Sequence, residues 1–187
     1  MSLRDYVPVI HEPTPDKPLH RLIQFHGIEN MSDSDMKALH LSQEELEELC
    51  IKQLKAGQAV WFACDAGAFG ARKDGVWDPD SVQYEALLGG FSTDMPKGER
   101  LQYGSSSATH AMLLTGVHFD ADGKADRWKI ENSWGKDVGD QGYFVCSAKY
   151  FKEYVYEAVI DGRHFSPEQA AMLKTEPVVI NAWDEDA

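Results

Sequence analysis

Three residues in the second half of the chain, His110, Asn132 and Trp134, are of types that do chemistry together when a fold brings them close. "THAMLLTGVHF" and "KADRWKIENS" read as two strands around a tight turn at "DADG", residues 120–123. With the tip there, paired residues carry numbers summing to about 243, which sets His110 opposite Ser133 or Asn132. Side chains directly across an antiparallel ladder share a face with Cβ atoms roughly 4.5–5.5 Å apart, so an imidazole can meet a carboxamide. A slip of one residue would turn one of the two to the other face. An Asn behind a His serves a definite purpose. Its oxygen accepts the imidazole N–H and fixes ring orientation and tautomer without adding a negative charge, which suits a His that becomes an imidazolium beside a thiolate. Trp134, two residues further on, points to the same side as Asn132 if the strand continues, and its indole can shield the His–Asn bond from water.

The elements that must hold these residues are legible in outline. "LSQEELEELCIKQLKAG" reads as a helix, with Ser42 as cap, Glu45 completing a capping box, Leu46, Leu49 and Leu54 on one stripe and Gly57 ending it. "QAVWFAC" reads as a buried strand, and "DAGAFGARKDGVWDPD" as a glycine-rich loop. "SVQYEALLGG" reads as one or two helical turns. Further strands are expected at "QGYFVCS" and "VYEAVID", making this half a β-rich sheet or barrel. "SPEQAAMLKTEP" reads as a last helix with Ser166 as cap, Pro167 at its first position and Pro177 stopping it. Upstream, the proline cluster "HEPTPDKP" reads as an extended loop before a short strand, "LHRLIQFHG", and a polar stretch, "IENMSDSDMKALH". Residues 1–45 are therefore expected to form a cover segment and residues 46–187 the His/Asn-bearing part with a C-terminal tail, in one globular unit.

Composition narrows the function classes. The 187 residues suit one domain with a sizeable core, and 43% hydrophobic and 11% aromatic content, with five Trp, excludes a disordered chain. The formal charge of −13, from 31 acidic against 18 basic residues, repels a phosphate backbone or an anionic membrane surface, so neither nucleic acid nor membrane is an expected partner. The opening residues hold no apolar run of signal-peptide length, and no stretch is long enough to span a bilayer. Cys50, Cys64 and Cys146 are too few and too scattered for a disulfide framework and include no C-x-x-C pair, which fits a reducing cytoplasm and no metal. His11, His20, His26, His40, His118 and His164 show no metal-ligand spacing, and no cofactor is expected.

The blocks "THAMLLTGV", "WKIENSWG" and "QGYF" resemble the His and Asn blocks of papain-like cysteine peptidases. More narrowly, "VWFACDAG", "THAM", "ENSWG", "EYVYEAVID" and "EPVVINAWD" resemble the bleomycin hydrolase and aminopeptidase C branch, from about Tyr6 to Trp183. The resemblance implies an α+β, papain-like fold, mainly its β-rich subdomain with flanking helices, and thiol catalysis on peptides. It makes His110 the general base and imidazolium partner, Asn132 its orienter and Trp134 a supporting residue. It also implies a cytoplasmic homohexamer whose active sites face a central cavity. In that branch the C-terminal residues resemble a plug in the cleft whose terminal carboxylate meets the substrate's α-amino group. Ala187 would be that terminus, although the ending "NAWDEDA" is shorter than the branch's and some relatives act as endopeptidases.

The chain departs from this pattern where the nucleophile should be. A papain-like enzyme needs a Cys at the start of a long helix, in a context such as C-G-S-C-W, with an oxyanion-hole Gln six residues earlier. No such block is present. Gln58 does precede Cys64 by six residues, but "QAVWFAC" reads as a strand, "DAGAFG" cannot start an amphipathic helix, and Asp65 would raise a neighbouring thiol pKa. Cys50 and Cys146 read as packing residues. The sequence therefore reads as the C-terminal part of such a peptidase, inactive alone, with "MSL" a start placed on an internal boundary. The alternative is a noncatalytic binding or assembly module that keeps His110 and Asn132 as structural polar residues.

Overall fold

A computed structural model describes residues 5–27, 36–92 and 94–181. Sixteen elements follow one another as β1 (Tyr6–Ile10), β2 (Arg21–His26), β3 (Met36–His40), α1 (Gln43–Lys55), β4 (Val60–Cys64), β5 (Gly70–Ala71), β6 (Val76–Trp77), α2 (Tyr84–Leu87), α3 (Lys97–Gln102), β7 (His110–Phe119), β8 (Ala125–Glu131), β9 (Tyr143–Ser147), α4 (Ala148–Tyr154), β10 (Val155–Asp161), α5 (Pro167–Met172) and β11 (Val178–Asn181). The strands form one 11-stranded sheet in the order β11-β2-β3-β1-β10-β4-β7-β8-β9-β6-β5, flanked by the helices. The expected α+β, sheet-rich class is what the chain adopts. Among the described residues no helix is long and apolar enough to cross a membrane.

Local chemistry accounts for the helices. Ser42 accepts the Glu45 N–H while the Glu45 carboxylate accepts the Ser42 N–H, closing the capping box at α1. Leu46, Leu49, Cys50 and Gln53 form its buried stripe, at the spacing of one helical face. Gln53 is polar yet buried because its amide is satisfied. Nε2 donates to the Ala59 carbonyl at 2.9 Å, and Oε1 accepts from the Asp161 N–H at 2.8 Å, tying α1 to β10. A second box, Ser166 with Gln169, starts α5, and Pro167 occupies its first position.

The first 45 residues do more than cover the rest. β1 lies between β3 and β10, and Val9, Leu39 and Leu41 belong to the main core. Pro8 hid β1 from the sequence pattern, since proline cannot donate to a ladder. Here it is tolerated because β3 pairs only with Val9 and Ile10, leaving Pro8 without a neighbour on that side. The polar stretch before α1 likewise ends in a strand, β3, while residues 28–35 of it lie outside the described residues.

Aromatic side chains fill the centre. Trp77, Trp128, Tyr150, Phe144 and Phe151 are buried, with Trp77 stacked on Phe144 at 4.6 Å and Trp128 on Phe151 at 4.2 Å between ring centroids. Each large apolar side chain so buried contributes on the order of 1.5–3 kcal/mol. Short α3 is pinned differently. The buried Lys97 Nζ donates to Gln43 Oε1 at 2.8 Å and to the Lys152 and Val155 carbonyls at 3.1 and 2.5 Å, and it lies 4.8 Å from the Tyr156 ring centroid. Burial pushes its pKa down to about 7.

Glu157 stands on β10 opposite Ile10 and Ala63, where burial, with a smaller contribution from the Glu12 carboxylate, pushes its pKa up to about 7. The folded state then holds this proton over a pH window where the unfolded chain, near the ordinary 4.5, has lost it. Stability contributed by this group is present below the lower value and lost as pH rises through the upper one. In urea unfolding, the stability of the wild type relative to Glu157→Gln should fall between about pH 5 and about pH 8, whatever the other groups of the chain add to both proteins. Equal falls in the two proteins would show that Glu157 keeps an ordinary carboxyl pKa.

Candidate active site

His110 opens β7 at the edge of the core, and the segment before it is held by hydrogen bonds that are exposed at Thr109 and buried at Ser106. The Thr109 N–H donates to the Cys64 carbonyl at 3.0 Å, and the Thr109 hydroxyl accepts the Ala66 N–H at 3.1 Å. Ser106 Oγ lies 2.7 Å from Asp65 Oδ2, to which it donates, and 2.6 Å from the Tyr156 hydroxyl. Asp65 also accepts the Gly67 N–H at 3.1 Å. A carboxylate buried this far must be satisfied to be tolerated, and once satisfied it fixes the backbone around it. The strand carrying His110 therefore leaves a rigid base.

Asn132 follows the last residue of β8, and its N–H donates to the Gly142 carbonyl at 3.1 Å. The returning loop depends on Gly139, whose φ is +61° and where a Cβ would lie 2.5 Å from the Tyr143 carbonyl oxygen. Only glycine fits both conditions.

The two side chains meet. His110 Nε2 lies 2.9 Å from Asn132 Oδ1. The same oxygen accepts the Ser133 backbone N–H at 2.7 Å, which decides which way round the amide sits, because an NH2 group there would face another donor. His110 Nε2 must then be the donor. In the neutral ring the proton is on Nε2 and the lone pair on Nδ1, the atom that can accept a proton. Asn132 Nδ2 is buried and has no partner among the described residues, a group that costs about 1–3 kcal/mol where it occurs. Unsatisfied buried donors are rare in stable cores and mark places where another constraint prevails. Trp134 lies flat on the His110 ring, with centroids 4.9 Å apart and planes 16° apart, and its edges meet Trp77 and Phe144 at 5.9 and 5.6 Å.

The route to this contact differs from the expected one. The outer rungs of the hairpin are Leu113–Glu131 and Leu114–Ile130, and irregularities fall between Leu114 and Gly116 and between His118 and Phe119. Continued outward, that register sets Trp134 opposite His110, so Asn132 reaches the ring diagonally. Parity is kept, and all three side chains share the core-facing side with Met112 and Leu114.

Cys64 is paired with His110 on the next strand, yet its thiol belongs to the interior. Burial, helped by the Asp65 charge, pushes its pKa up to about 12. Among the described residues no hydrogen bond joins its sulfur to His110. Gln58 lies beyond the other end of β4, a strand away at roughly 3.3 Å per residue, where its amide meets Tyr6 and Asp161. Cys50 and Cys146 are fully buried in the same core, and burial raises both thiols. Among the described residues no group of three or more His, Cys, Asp or Glu side chains could hold a metal ion. A recess of about 860 Å³ lined by Phe69, Tyr84, Arg100 and Tyr154 is not bordered by His110, Asn132 or Trp134. Ala187 lies outside the described residues.

The model of the Peptidase C1-like family matches residues 1–187. This chain belongs to that family. Aminopeptidase C of Lactococcus lactis subsp. cremoris is 40% identical over 185 residues, covering 98% of this chain and 42% of the relative. Human bleomycin hydrolase is 36% identical over 187 residues, covering 98% of this chain and 41% of the relative. The crystal structure of PepW from Lactobacillus rhamnosis superposes with a TM-score of 0.94 at 39% identity, covering 99% of this chain and 42% of PepW. The resemblance read from the five sequence blocks is borne out, and the chain spans about two fifths of the length of the relatives it matches.

The Asp65–Ser106–Tyr156 network had no sequence signal, because its members are 41 and 50 residues apart and carry no common period. The placement of the thiols can be checked directly. In the native chain none of the three cysteines should react readily with Ellman's reagent, and all three should react once the chain is unfolded in urea. Rapid labelling of Cys64 in the folded protein would overturn its assignment to the core.

Proposed function

We propose that this chain is the His/Asn-bearing part of a thiol aminopeptidase, with His110 as base and imidazolium, Asn132 as its orienter and Trp134 as their cover. The observation that carries this reading is the 2.9 Å bond from His110 Nε2 to Asn132 Oδ1 beneath a stacked indole. It directs the basic Nδ1 away from Asn132, towards a nucleophile. The names of the aminopeptidase C and bleomycin hydrolase relatives favour peptides as substrates.

In this reading the nucleophilic thiol and the oxyanion donor come from outside these residues, a view supported by the burial of all three cysteines. The thiol proton passes to His110 Nδ1 as sulfur attacks the substrate carbonyl carbon. The imidazolium then returns the proton to the departing amine nitrogen as the C–N bond breaks, and water hydrolyses the thioester. Asn132 accepts the Nε2–H throughout, so the ring can gain and lose a proton without turning.

Three large apolar side chains open to solvent favour a covering partner. Leu87, Phe91 and Tyr103 are 77%, 76% and 72% exposed. Assembly into a homo-oligomer and use of the Ala187 carboxylate to hold a substrate amino group complete the proposal.

The test is a peptidase assay with an aminoacyl fluorogenic amide under reducing conditions. The chain alone and its Cys64→Ala variant should both be inactive, whereas activity that disappears on that substitution would make Cys64 the nucleophile. In a protein joining this chain to a Cys-bearing part, His110→Ala should lower kcat by about 10²–10⁴-fold. An unchanged kcat there would remove His110 from the chemistry and leave the noncatalytic module.

A further inference from the structure

The glycine-rich loop after β4, which the mechanism above does not use, folds into a small hairpin from β5 to β6. Its rungs are Gly70–Trp77 and Ala71–Val76, and the Gly75 N–H closes the turn on the Ala71 carbonyl at 2.9 Å. Three contacts hold it in place. Trp77 Nε1 donates to the Ala66 carbonyl at 3.1 Å, the Val145 N–H donates to the Gly75 carbonyl at 2.8 Å, and a Cβ on Gly75 would lie 2.7 Å from Gly139 Cα. The last contact presses the hairpin against the loop that carries Trp134. At the tip, the Arg72 guanidinium carbon sits 4.6 Å from the centroid of the Trp134 ring. Arg72 is exposed and forms no ion pair among the described residues. Among the described residues, the Trp134 ring is what its charge lies against.

We infer that Arg72 is a positioning residue for His110, acting through Trp134. The inference rests on the role proposed above for His110. A planar cation over an indole is attracted by the negative face of the ring and restricts its tilting, and a lysine cannot stack in the same way. Trp134 in turn lies on the imidazole and keeps water from the His110–Asn132 bond. The hairpin tip thus joins Arg72 to His110 through the one indole that both contact. Its role is to keep the ring from turning and the Nε2–H from exchanging with solvent.

The experiment uses the chain as it stands, labelled with ¹⁵N in histidine, and reads two quantities by NMR: the solvent exchange rate of the His110 Nε2–H and the shifts of the carbon-bound ring protons, which the stacked indole moves upfield. Arg72→Leu, which keeps apolar cover and loses the charge, should speed exchange about two- to five-fold and move the ring protons towards their unstacked positions. Arg72→Lys should fall between the two. Unchanged exchange and shifts in Arg72→Leu would overturn the inference. So would faster exchange matched by an equal loss in the urea unfolding equilibrium, since that is general loosening of the fold. Neither readout depends on peptidase activity, so the stack and the enzymatic reading can fail separately. In a protein joined to its Cys-bearing part, Arg72→Leu should lower kcat by the same two- to five-fold with KM unchanged.

Discussion

The two hydrogen bonds accepted by Asn132 Oδ1 are the constraint on which the site depends. One comes from the neighbouring Ser133 N–H and fixes the amide, and the other comes from His110 and fixes the ring. Because the first is made by the backbone, the orientation of a catalytic-type side chain is settled by the path of the main chain. That path is set by the turn after β8, where the Asn132 N–H reaches Gly142 and Gly139 permits a close return. Asn132 Nδ2 is buried with no partner among the described residues, so the fold serves the oxygen half of the amide.

Around this bond, rigidity comes from two different kinds of interior. Below it, Trp77, Phe144 and Tyr150 stack, adding dispersion and apolar burial to the sheet face beneath Trp134. Behind it, Asp65, Ser106 and Tyr156 form a polar network that holds the approach to β7, and Lys97 pins α3 just upstream. Apolar packing tolerates small shifts, whereas a network of buried hydrogen bonds has one good arrangement. The combination leaves the His110 ring little freedom to turn.

The chain belongs to the Peptidase C1-like family, and both the sequence relatives and PepW are more than twice its length. The sheet has a complete core of its own, and each cysteine is spent on packing in it. The bond to Asn132 occupies His110 Nε2, and among the described residues no hydrogen bond is made by His110 Nδ1.

The sequence by itself determined the local features: the Ser42–Glu45 capping box, the Ser166 cap with Pro167 at the first position of its helix, the β7–β8 hairpin, and His110 set across it near Asn132 or Ser133. These are short-range consequences of residue type and period, and they need no knowledge of what packs where. The tertiary structure decided the rest. It put β1 between β3 and β10 despite Pro8, shifted the hairpin register so that Trp134 rather than Asn132 faces His110, and brought Asp65, Ser106 and Tyr156 together although they are 41 and 50 residues apart in turn. Those outcomes depend on which strands become neighbours, and a strand's neighbours are chosen by the whole sheet. Arg72 is the clearest case. In the sequence it is one charge in a glycine-rich loop, and only the approach of two loops at Gly75 and Gly139 sets it over Trp134.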